Sequence, residues 1–459
     1  RDYGWPATIL FAADGTELVK RQGYIPAEDF LATLKSTAAD PTPETAPPTR
    51  ANSSGPVGAL TKETRAELLR RYHTTFDSDQ GGLTIAQKFL DRDSVEYALI
   101  AAADGDENEA GKAKKTLDAA RNLMDPVWGG VYQYSTRGDW NHPHYEKLAL
   151  VQASYLRMYA LAWAQWHRPA DRNAVERIRQ YVNTFLRDPA GAIYTSQDAD
   201  VVPGEHAENY FALNDAQRRH RGIPRIDQHL YTLQNGQWIE ALATWSEVSG
   251  DSKALADARA AAQWVLAHRT LPSGGFRHDE KDAAGPYLGD TLAMGRAFLA
   301  LYRVTAERTW LVRADEAADF IDHHFKDSGA GFVSARTNGP IAAVPHVEEN
   351  ISLARFANLL ARYSGKPRHR AIAEYAEHYL SQPAVALATI TEPGVLLVAD
   401  ELAQEPLHLT VVGAKDAPEA AKLFDAVQRL PGWYKRVEWW DRKEGPLPNA
   451  DVPYPPVKR

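Results

Sequence analysis

Gly129-Gly130-Val131-Tyr132 is one copy of a turn that occurs five times in this sequence. In each copy an amphipathic helical pattern runs into a small-residue turn and then a branched or aromatic residue. A polar loop and a second helical pattern follow. The other copies are Gly81-Gly82-Leu83, Gly191-Ala192-Ile193-Tyr194, Gly274-Gly275-Phe276 and Gly331-Phe332-Val333. Recurrence at intervals of roughly 50 residues is typical of a repeat architecture.

The helical patterns come in pairs, and about six pairs predict a mainly α fold, an (α/α)6 toroid of the six-hairpin glycosidase-like type, over residues 61–404. The longest interval between turns, from Gly191 to Gly275, indicates an insertion within one repeat. The inner set is more apolar all round, as expected for helices buried on both sides. Outer helices are predicted near 62–76, 108–124, 171–187, 252–269, 307–325 and 367–381. Inner helices are predicted near 93–103, 144–166, 229–249, 290–304, 347–363 and 394–403.

Three further segments flank the toroid. Residues 1–36 predict two strands joined at Asp14-Gly15 and a helix. Residues 37–60 form a Pro-rich linker, which cannot bury a core. Residues 405–459 predict a βαβ addition and an extended tail. The segment Gly4-Trp5-Pro6-Ala7-Thr8 resembles the C-terminal half of a thioredoxin domain, which implies a cis peptide before Pro6; an independent ββα cap is the alternative.

Composition excludes several classes of function. The net charge of −8, without a basic stripe, disfavours nucleic acid as a partner. No apolar run is long enough to insert into a membrane. The 459 residues contain no cysteine, so they supply no disulfide and no thiolate. A cysteine-free chain slightly favours an extracytoplasmic location over a cytoplasmic one.

The loops after the glycine turns lead into the N-termini of inner helices, which share one face of a toroid. Several of these loops pair histidines with carboxylates, the groups used in general acid–base catalysis. The catalytic candidates are His144, Glu146, Asp198 and Asp200. The substrate-binding candidates are Trp140, His142, Lys147, Asp227, Asn235, Asp290 and Glu348.

Each candidate also has a structural interpretation. Asp227, Asp290 and Glu348 are equally suited to capping helices or to lying in their first turns. His278 and Glu280 lie in a charged run that favours solvent exposure. Metal binding is the rival use of histidine and carboxylate, but no His-Glu-x-x-His occurs. The sequence therefore predicts no metal and no other cofactor.

At the second loop the sequence resembles a known family. His142-Pro143-His144-Tyr145-Glu146-Lys147 is similar to the W-x-x-P-H-F-E-K segment of proteins that join a thioredoxin-like domain to a six-hairpin toroid, including the spermatogenesis-associated thioredoxin-like proteins. Three more stretches agree with the family's Q-D-A-D, D-D-K-x-L-x-x-W-N-G and L-D-D-Y-A segments: Gln197-Asp198-Ala199-Asp200, Asp227 to Gly236 and Leu288-Gly289-Asp290. The resemblance implies a toroid similar to that of N-acylglucosamine 2-epimerases.

The chain departs from the family at several positions. Val151-Gln152 replaces an Asp-Asn pair, Gln234 replaces the tryptophan of W-N-G, and Tyr145 replaces a phenylalanine. These changes imply that some polar groups of the cavity are lost.

Three functions remain open. The first is an enzyme acting on a small-molecule carbohydrate, either an epimerase-like isomerase with His144 as base or a glycoside hydrolase using Glu146 with Asp198 or Asp200. The second is a non-catalytic binding or scaffold protein with a protein partner. The third is a redox accessory protein whose cysteine pair lies upstream of residue 1.

Overall fold

The computed structural model describes residues 7–44, 59–202, 207–282, 284–329, 331–336 and 342–454. The cis peptide expected before Pro6 and most of the linker predicted over 37–60 lie outside these ranges and stay predictions. No helix in the described ranges is long and apolar enough to cross a membrane.

A small ββα unit precedes the helical part of the chain. It consists of β1 (Ala7–Phe11), β2 (Glu17–Gln22) and α1 (Ala27–Ala39). The two strands pair antiparallel, as the hairpin turn predicts. No residue of α1 is buried, and the thioredoxin-like origin of the unit stays a prediction.

The main body consists of helices joined by short strands. Up to residue 249 the elements are α2 (Lys62–Thr74), α3 (Arg92–Ala103), α4 (Glu107–Ala120), β3 (Tyr134–Ser135), β4 (Pro143–His144), β5 (Lys147–Leu148), α5 (Ala149–Trp166), α6 (Pro169–Tyr181), β6 (Ser196–Gln197), α7 (Ala207–Phe211), α8 (Asp215–Arg221), β7 (Ile226–Asp227) and α9 (Thr232–Ser249). They continue with α10 (Ser252–His268), α11 (Leu288–Thr305), α12 (Arg308–Phe325), α13 (Val347–Ser364), α14 (Pro367–Leu380), α15 (Pro383–Ala386) and α16 (Pro393–Ala403).

Six of these helices close a ring. Each packs against the next, in the order α3, α5, α9, α11, α13, α16 and back to α3. The outer helices α4, α6, α10, α12 and α14 pack against α3, α5, α9, α11 and α13 in that order, and α2 packs against α16. Within the described ranges the fold is the predicted toroid of six inner and six outer helices.

The two sets of helices differ in burial as the sequence predicts. In the inner helix α9, 14 of 18 residues are buried. In its outer neighbour α10, 5 of 17 are buried. An inner helix contacts the ring on two sides and an outer helix on a third, so little of its surface reaches solvent.

Each glycine turn joins the end of an outer helix to the start of the next inner helix. At Gly130 the φ angle is 72°, and a Cβ there would lie 2.4 Å from the Tyr181 ring, so only glycine fits. The residue after the turn is then held by a side chain of the inner helix. Gln152 accepts from the Val131 N–H at 2.7 Å and donates to the Val131 carbonyl at 2.7 Å.

This contact, called the clamp below, recurs around the ring. Asn235 on Ile193 and Asn350 on Phe332 make both bonds, and Thr291 accepts from the Phe276 N–H. Gln152 therefore performs the same structural task as Asn235 and Asn350. The expectation that Val151-Gln152 removes polar groups from a cavity is corrected for Gln152, which is fully buried in its clamp.

Two predicted inner helices begin later than expected. The helix predicted from 144 begins at Ala149, and the helix predicted from 229 begins at Thr232. Residues 143–148 and 226–227 form two-residue strands instead. Such short strands show no measurable periodicity in sequence.

The C-terminal addition is a βαβ unit, as predicted. It contains β8 (Leu407–Val412), α17 (Pro418–Gln428) and β9 (Lys435–Trp440), with the strands parallel. Strand β9 packs against α11 and α13, and the Val437 N–H donates to the Tyr363 hydroxyl at 2.8 Å. The addition therefore lies at the C-terminal ends of inner helices.

Candidate functional site

The end of the toroid where the inner helices begin, called the mouth below, carries most of the predicted site residues. A three-stranded sheet of β5, β6 and β7 stands at this end, directly before α5 and α9. Lys147 on β5 pairs with Gln197 on β6. If the antiparallel register is continued by one residue, Glu146 lies opposite Asp198. Because Ser196 pairs with Asp227, the alternation of side chains places Glu146, Asp198 and Asp227 on one face of the sheet.

The predicted histidines of the second loop each approach a carboxylate. His144 Nε2 lies 3.6 Å from Glu146 Oε2, and its ring stacks on Tyr134. His142 Nδ1 lies 2.9 Å from the carboxylate of Asp139. These side chains are partly exposed, so they form the rim of the mouth and not its interior.

A row of stacked rings runs from the rim inward. His229 stacks on Tyr231 with ring centroids 5.4 Å apart, and Tyr231 stacks on His278 at 4.3 Å. His229 Nδ1 lies 2.5 Å from Asp227 Oδ1. The hydrogen bond to His229, opposed by burial, lowers the pKa of Asp227, so this outer pair is an ionised carboxylate beside a histidine.

The inner end of the row is a buried carboxylate with a histidine. His278 Nδ1 lies 3.0 Å from Asp290 Oδ1, and the same oxygen accepts from the Leu233 N–H at the start of α9. The hydrogen bond to Asp290 raises the pKa of His278, and burial raises the pKa of Asp290. His278 is one-third exposed and so remains partly solvated, as expected, but the stacked Tyr231 and the bond to Asp290 fix its ring, with Nε2 on the side away from the carboxylate.

Glu349 lies beside this pair. A Cβ built on Gly289 would lie 3.0 Å from Glu349 Oε1, which places its carboxylate against the first turn of α11. Its Oε2 is buried and has no hydrogen-bond partner within the described ranges. Burial, with the nearby charges of Asp290 and Glu348, raises the pKa of Glu349 to about 7. His278, Asp290 and Glu349 are called the mouth triad below.

Sequence reasoning named Asp290 for substrate binding but did not select His278 or Glu349. A positional signal was present, because the residue before each clamp side chain falls on the inner face of its helix near the mouth. These residues are Gln234, Asp290 and Glu349, before Asn235, Thr291 and Asn350. At the equivalent place in α5 stands Val151, so one polar group of this set is missing.

Three predicted substrate-binding residues have structural roles. Lys147 is fully buried, with Nζ 2.7 Å from Asp125 Oδ2, and Arg218 of α8 contacts the same oxygen at 2.7 Å. Burial lowers the pKa of Lys147 to about 8, against the attraction of Asp125. Trp140 is buried beneath Gly82 and donates to the Gln80 carbonyl. Asn235 is used by its clamp. None of the three side chains has a surface that a substrate could reach.

The remaining predicted residues are exposed or half-buried. Asp200 and Asp198 lie at the edge of the sheet, where the Asp200 N–H faces Asp198 Oδ1 at 3.4 Å. Glu348 lies in the first turn of α13, where its charge raises the pKa of Arg92 together with the larger effect of Asp93. Within the described ranges no group of three or more histidine or carboxylate side chains is arranged to hold a metal ion.

Below the mouth, a layer of charged side chains crosses the toroid at mid-height. The inner helices were expected to be apolar all round, but α5, α9, α11, α13 and α16 each carry a charge at their ninth residue, and α3 adds Glu96. Arg355, Glu96, Arg157, Glu240 and Arg296 form a continuous chain of ion pairs, with Glu401 also on Arg355. This charged layer separates the mouth from the other end of the toroid.

At that other end lies a cavity of about 90 Å³, called the chamber below. It is lined by the C-terminal halves of the inner helices and closed by residues 430–435 before and within β9. No residue of the mouth triad and none of the predicted site residues lines it. The predicted rim and the chamber are therefore separate places in the fold.

Curated relatives share only part of their length with the chain. Over 364 residues, covering 56% of this chain and 46% of the relative, it is 21% identical to human spermatogenesis-associated protein 20. It is 28% identical to the mouse protein of that name over 155 residues, 32% of this chain and 19% of the relative. It is 29% identical to the protein B0495.5 of Caenorhabditis elegans over 168 residues, which cover 34% of this chain and 22% of the relative. The chain thus spans less than half the length of these relatives. No protein-family model matches it.

Solved structures with this fold include sugar isomerases. The cellobiose 2-epimerase of Bacillus thermoamylovorans superposes with a TM-score of 0.56 at 12% identity, covering 69% of this chain and 86% of that one. A sugar epimerase from a ruminal bacterium superposes with a TM-score of 0.55 at 15% identity, covering 70% of this chain and 86% of that one. A D-mannose isomerase superposes with a TM-score of 0.55 at 10% identity, covering 75% of this chain and 98% of that one. Identities this low show a common toroid and nothing about activity.

Proposed function

We propose that this toroid is a carbohydrate isomerase or epimerase whose acid–base groups are His278 and Glu349. The reaction would take place at the mouth, on an open-chain sugar with a carbonyl beside a C–H bond. The observation that carries the proposal is the mouth triad itself: a fixed histidine–carboxylate pair beside a buried carboxylic acid, at the shared start of α11 and α13.

His278 has the arrangement of a general base. Asp290 accepts from Nδ1–H, which leaves the lone pair on Nε2 and stabilises the imidazolium that forms when Nε2 takes a proton. Asp290 also accepts from the backbone of α9, so it is held in place by two elements. It acts through His278 and is a positioning residue.

Glu349 supplies the second proton-transfer group. A pKa of about 7 leaves comparable amounts of acid and carboxylate at neutral pH, which suits a group that must both give and take protons. In the proposed reaction one group removes the proton from C2 and leaves an enediolate. For epimerisation the other group returns a proton to C2 on the opposite face. For isomerisation O1 gains a proton, O2 loses one, and the carbon-bound proton returns to C1. The sugar is rearranged with no net gain or loss of atoms.

The rim residues would hold the rest of the sugar. Glu146, Asp198 and Asp227 share a sheet face beside the stacked rings of His229 and Tyr231. Carboxylates and flat aromatic surfaces together suit sugar hydroxyls and the apolar faces of the ring. His144 and Asp200 join this rim. For His144, Glu146, Asp198 and Asp200 the proposal assigns a binding role at the rim in place of a catalytic one, because only His278 is paired at 3.0 Å with a fully buried carboxylate, that of Asp290.

Three other functions have narrower support. A non-catalytic sugar-binding or scaffold protein is favoured by Val151, which interrupts the polar set around the mouth. Hydrolysis would use Glu146 with Asp198 or Asp200 as its pair of carboxylates, and Glu146 and Asp198 share one face of the sheet. A redox role would depend wholly on cysteines outside these 459 residues.

Exchange of the C2 proton of D-mannose and of cellobiose with D2O, followed by proton NMR, tests the proposal. We expect the wild type to exchange C2 of at least one of the sugars. His278→Asn and Glu349→Gln should each slow exchange by about a hundredfold or more. Glu316→Gln, an exposed control on the outer helix α12, should change the rate by no more than about twofold.

The remaining outcomes decide between the alternatives. Release of glucose from cellobiose without C2 exchange would establish hydrolysis. Saturable binding without exchange or hydrolysis would establish a binding protein. An unchanged exchange rate in His278→Asn would remove the triad from the reaction.

A further inference from the structure

The chamber contains more positive charge than the surrounding protein balances. The charged layer that borders it is neutral, with three arginines and three glutamates. A second layer of charges lies closer to the C-terminal ends of the inner helices and consists of Glu247, Arg303 and Lys435. This second layer holds two cations and one carboxylate, so a single positive charge is left over.

The pairing around Glu247 shows the imbalance directly. Arg303 Nη2 lies 2.8 Å from Glu247 Oε1, and Lys435 Nζ lies 3.0 Å from the same oxygen. Lys435 is almost fully buried and also donates to the carbonyls of Gln428 and Leu430. One carboxylate therefore serves two cations in a region with little solvent, where an unbalanced charge is costly.

Two donors beside this excess charge are unused. Arg303 Nε and Trp433 Nε1 are both buried, and neither has a hydrogen-bond partner within the described ranges. Both residues line the chamber. A group that occupies the chamber supplies an acceptor to these two donors.

The size of the chamber limits what that group can be. Its volume of about 90 Å³ corresponds to several water molecules, which is the space of one phosphate or carboxylate group and not of a disaccharide. The arginines at its wall keep some contact with solvent, since the side chains of Arg303 and Arg355 are 17% and 16% exposed.

We propose that the chamber is a binding site for one small anion bearing a phosphate or carboxylate group, held by Arg303 and Trp433 and balanced by Lys435. The ligand accepts from Arg303 Nε and from Trp433 Nε1, and it neutralises the charge that Glu247 leaves over. Because Trp433 and Lys435 belong to the C-terminal addition while Arg303 and Glu247 belong to α11 and α9, the anion joins this addition to the ring.

Calorimetric titration at constant ionic strength tests the site, with inorganic phosphate and acetate as probes and chloride as the reference anion. We expect saturable binding of one phosphate or one acetate per chain, and the stronger of the two identifies the ligand class. Trp433→Phe keeps the ring but removes the donor, and it should weaken binding about tenfold, the size of one hydrogen bond to a charged group. Arg303→Gln should weaken binding at least as much.

Matched variants separate this site from other causes. Trp264→Phe changes a tryptophan on an outer helix, which does not line the chamber, and should leave the dissociation constant unchanged. His278→Asn should also bind the anion normally, so failure of the catalytic proposal leaves this result intact. Circular dichroism of each variant without anion reports its folding. Absence of saturable binding beyond that of chloride, or wild-type binding by folded Trp433→Phe and Arg303→Gln, would overturn the site.

Discussion

The mouth triad and the charged layer both place carboxyl groups on inner helices, but the pKa values of these carboxyl groups move in opposite directions. In the triad the pKa values of His278, Asp290 and Glu349 are all raised. In the charged layer arginines outweigh burial and lower the pKa values of Glu96 and Glu240.

The difference follows from the number of partners. Glu96 contacts two arginines, at 2.7 Å each, so its charge is balanced and fixed. Glu349 has carboxylates as its nearest charged neighbours, so burial is not compensated. Balanced charges serve the structure, whereas groups that change protonation near neutral pH are typical of functional sites.

Of the substitutions in the two regions, Glu96→Gln in the charged layer should change the free energy of unfolding most. Removing this carboxylate leaves Arg157 and Arg355 with one buried partner each. We expect the free energy of unfolding to fall by about 3 kcal/mol, the lower end of the range for breaking a buried ion pair, because Glu240 and Glu401 remain. Urea denaturation at pH 7 measures it.

Glu374→Gln is the control for this change, because it breaks an exposed pair with Arg370 on α14. The expected loss is no more than about 0.5 kcal/mol. A loss in Glu96→Gln as small as in this control would show that the charged layer contributes little to stability.

Glu349→Gln, in the mouth triad, should change the free energy of unfolding by a smaller amount and in the opposite direction, so that it rises. The folded protein retains a proton that the unfolded chain releases between pH 4.5 and about 7, so the free energy of unfolding falls as pH rises through this window. A raised pKa of this size corresponds to about 3 kcal/mol at most, and the N-terminus of α13 reduces the effect to about 2 kcal/mol by favouring the carboxylate. The variant should therefore be more stable than the wild type at pH 8.

Urea denaturation from pH 4 to pH 8 measures this dependence. Below about pH 4.5 wild type and variant should converge, because Glu349 is then protonated in both the folded and the unfolded protein. Glu316→Gln, an exposed substitution on α12, should keep the wild-type dependence on pH. If Glu349→Gln lowers stability at pH 8, the carboxylate is stabilised by a partner and its pKa is not raised.

The toroid was accessible to sequence reasoning because its evidence is local and repeated. Turns such as Gly129-Gly130 and the helices between them recur, so each copy supports the others. The βαβ addition predicted over residues 405–459 is present as β8, α17 and β9. A hydrophobic pattern that extends over a dozen residues, or that recurs along the chain, predicts an element even where single positions are ambiguous.

The site was less accessible because it depends on contacts between distant segments. The positions of Glu146 and Asp198 follow from two-residue strands, which have no periodicity. The pKa of Glu349 is set by neighbours on α11 and α13, and its residue type alone gives no sign of burial. Lys147 and Asn235 looked like site residues because they lie in motifs, but a motif residue can equally hold the loop that carries the site.

The chamber shows the same limit more strongly. Its cations come from α11 and from β9, more than 130 residues apart in the chain. Nothing in either segment indicates that Lys435 reaches Glu247 on α9. Charge balance in a buried space becomes visible only when all of its walls are known.

A crystal structure of the protein soaked with D-mannose or cellobiose tests the central claim, that carbohydrate binds at the mouth and not in the chamber. We predict density for a sugar over the stacked rings of Tyr231 and His278, with the carbon next to its carbonyl facing His278 Nε2 and Glu349 Oε2. A sugar bound in the chamber against Arg303 and Trp433, with an empty mouth at saturating concentration, would contradict the account.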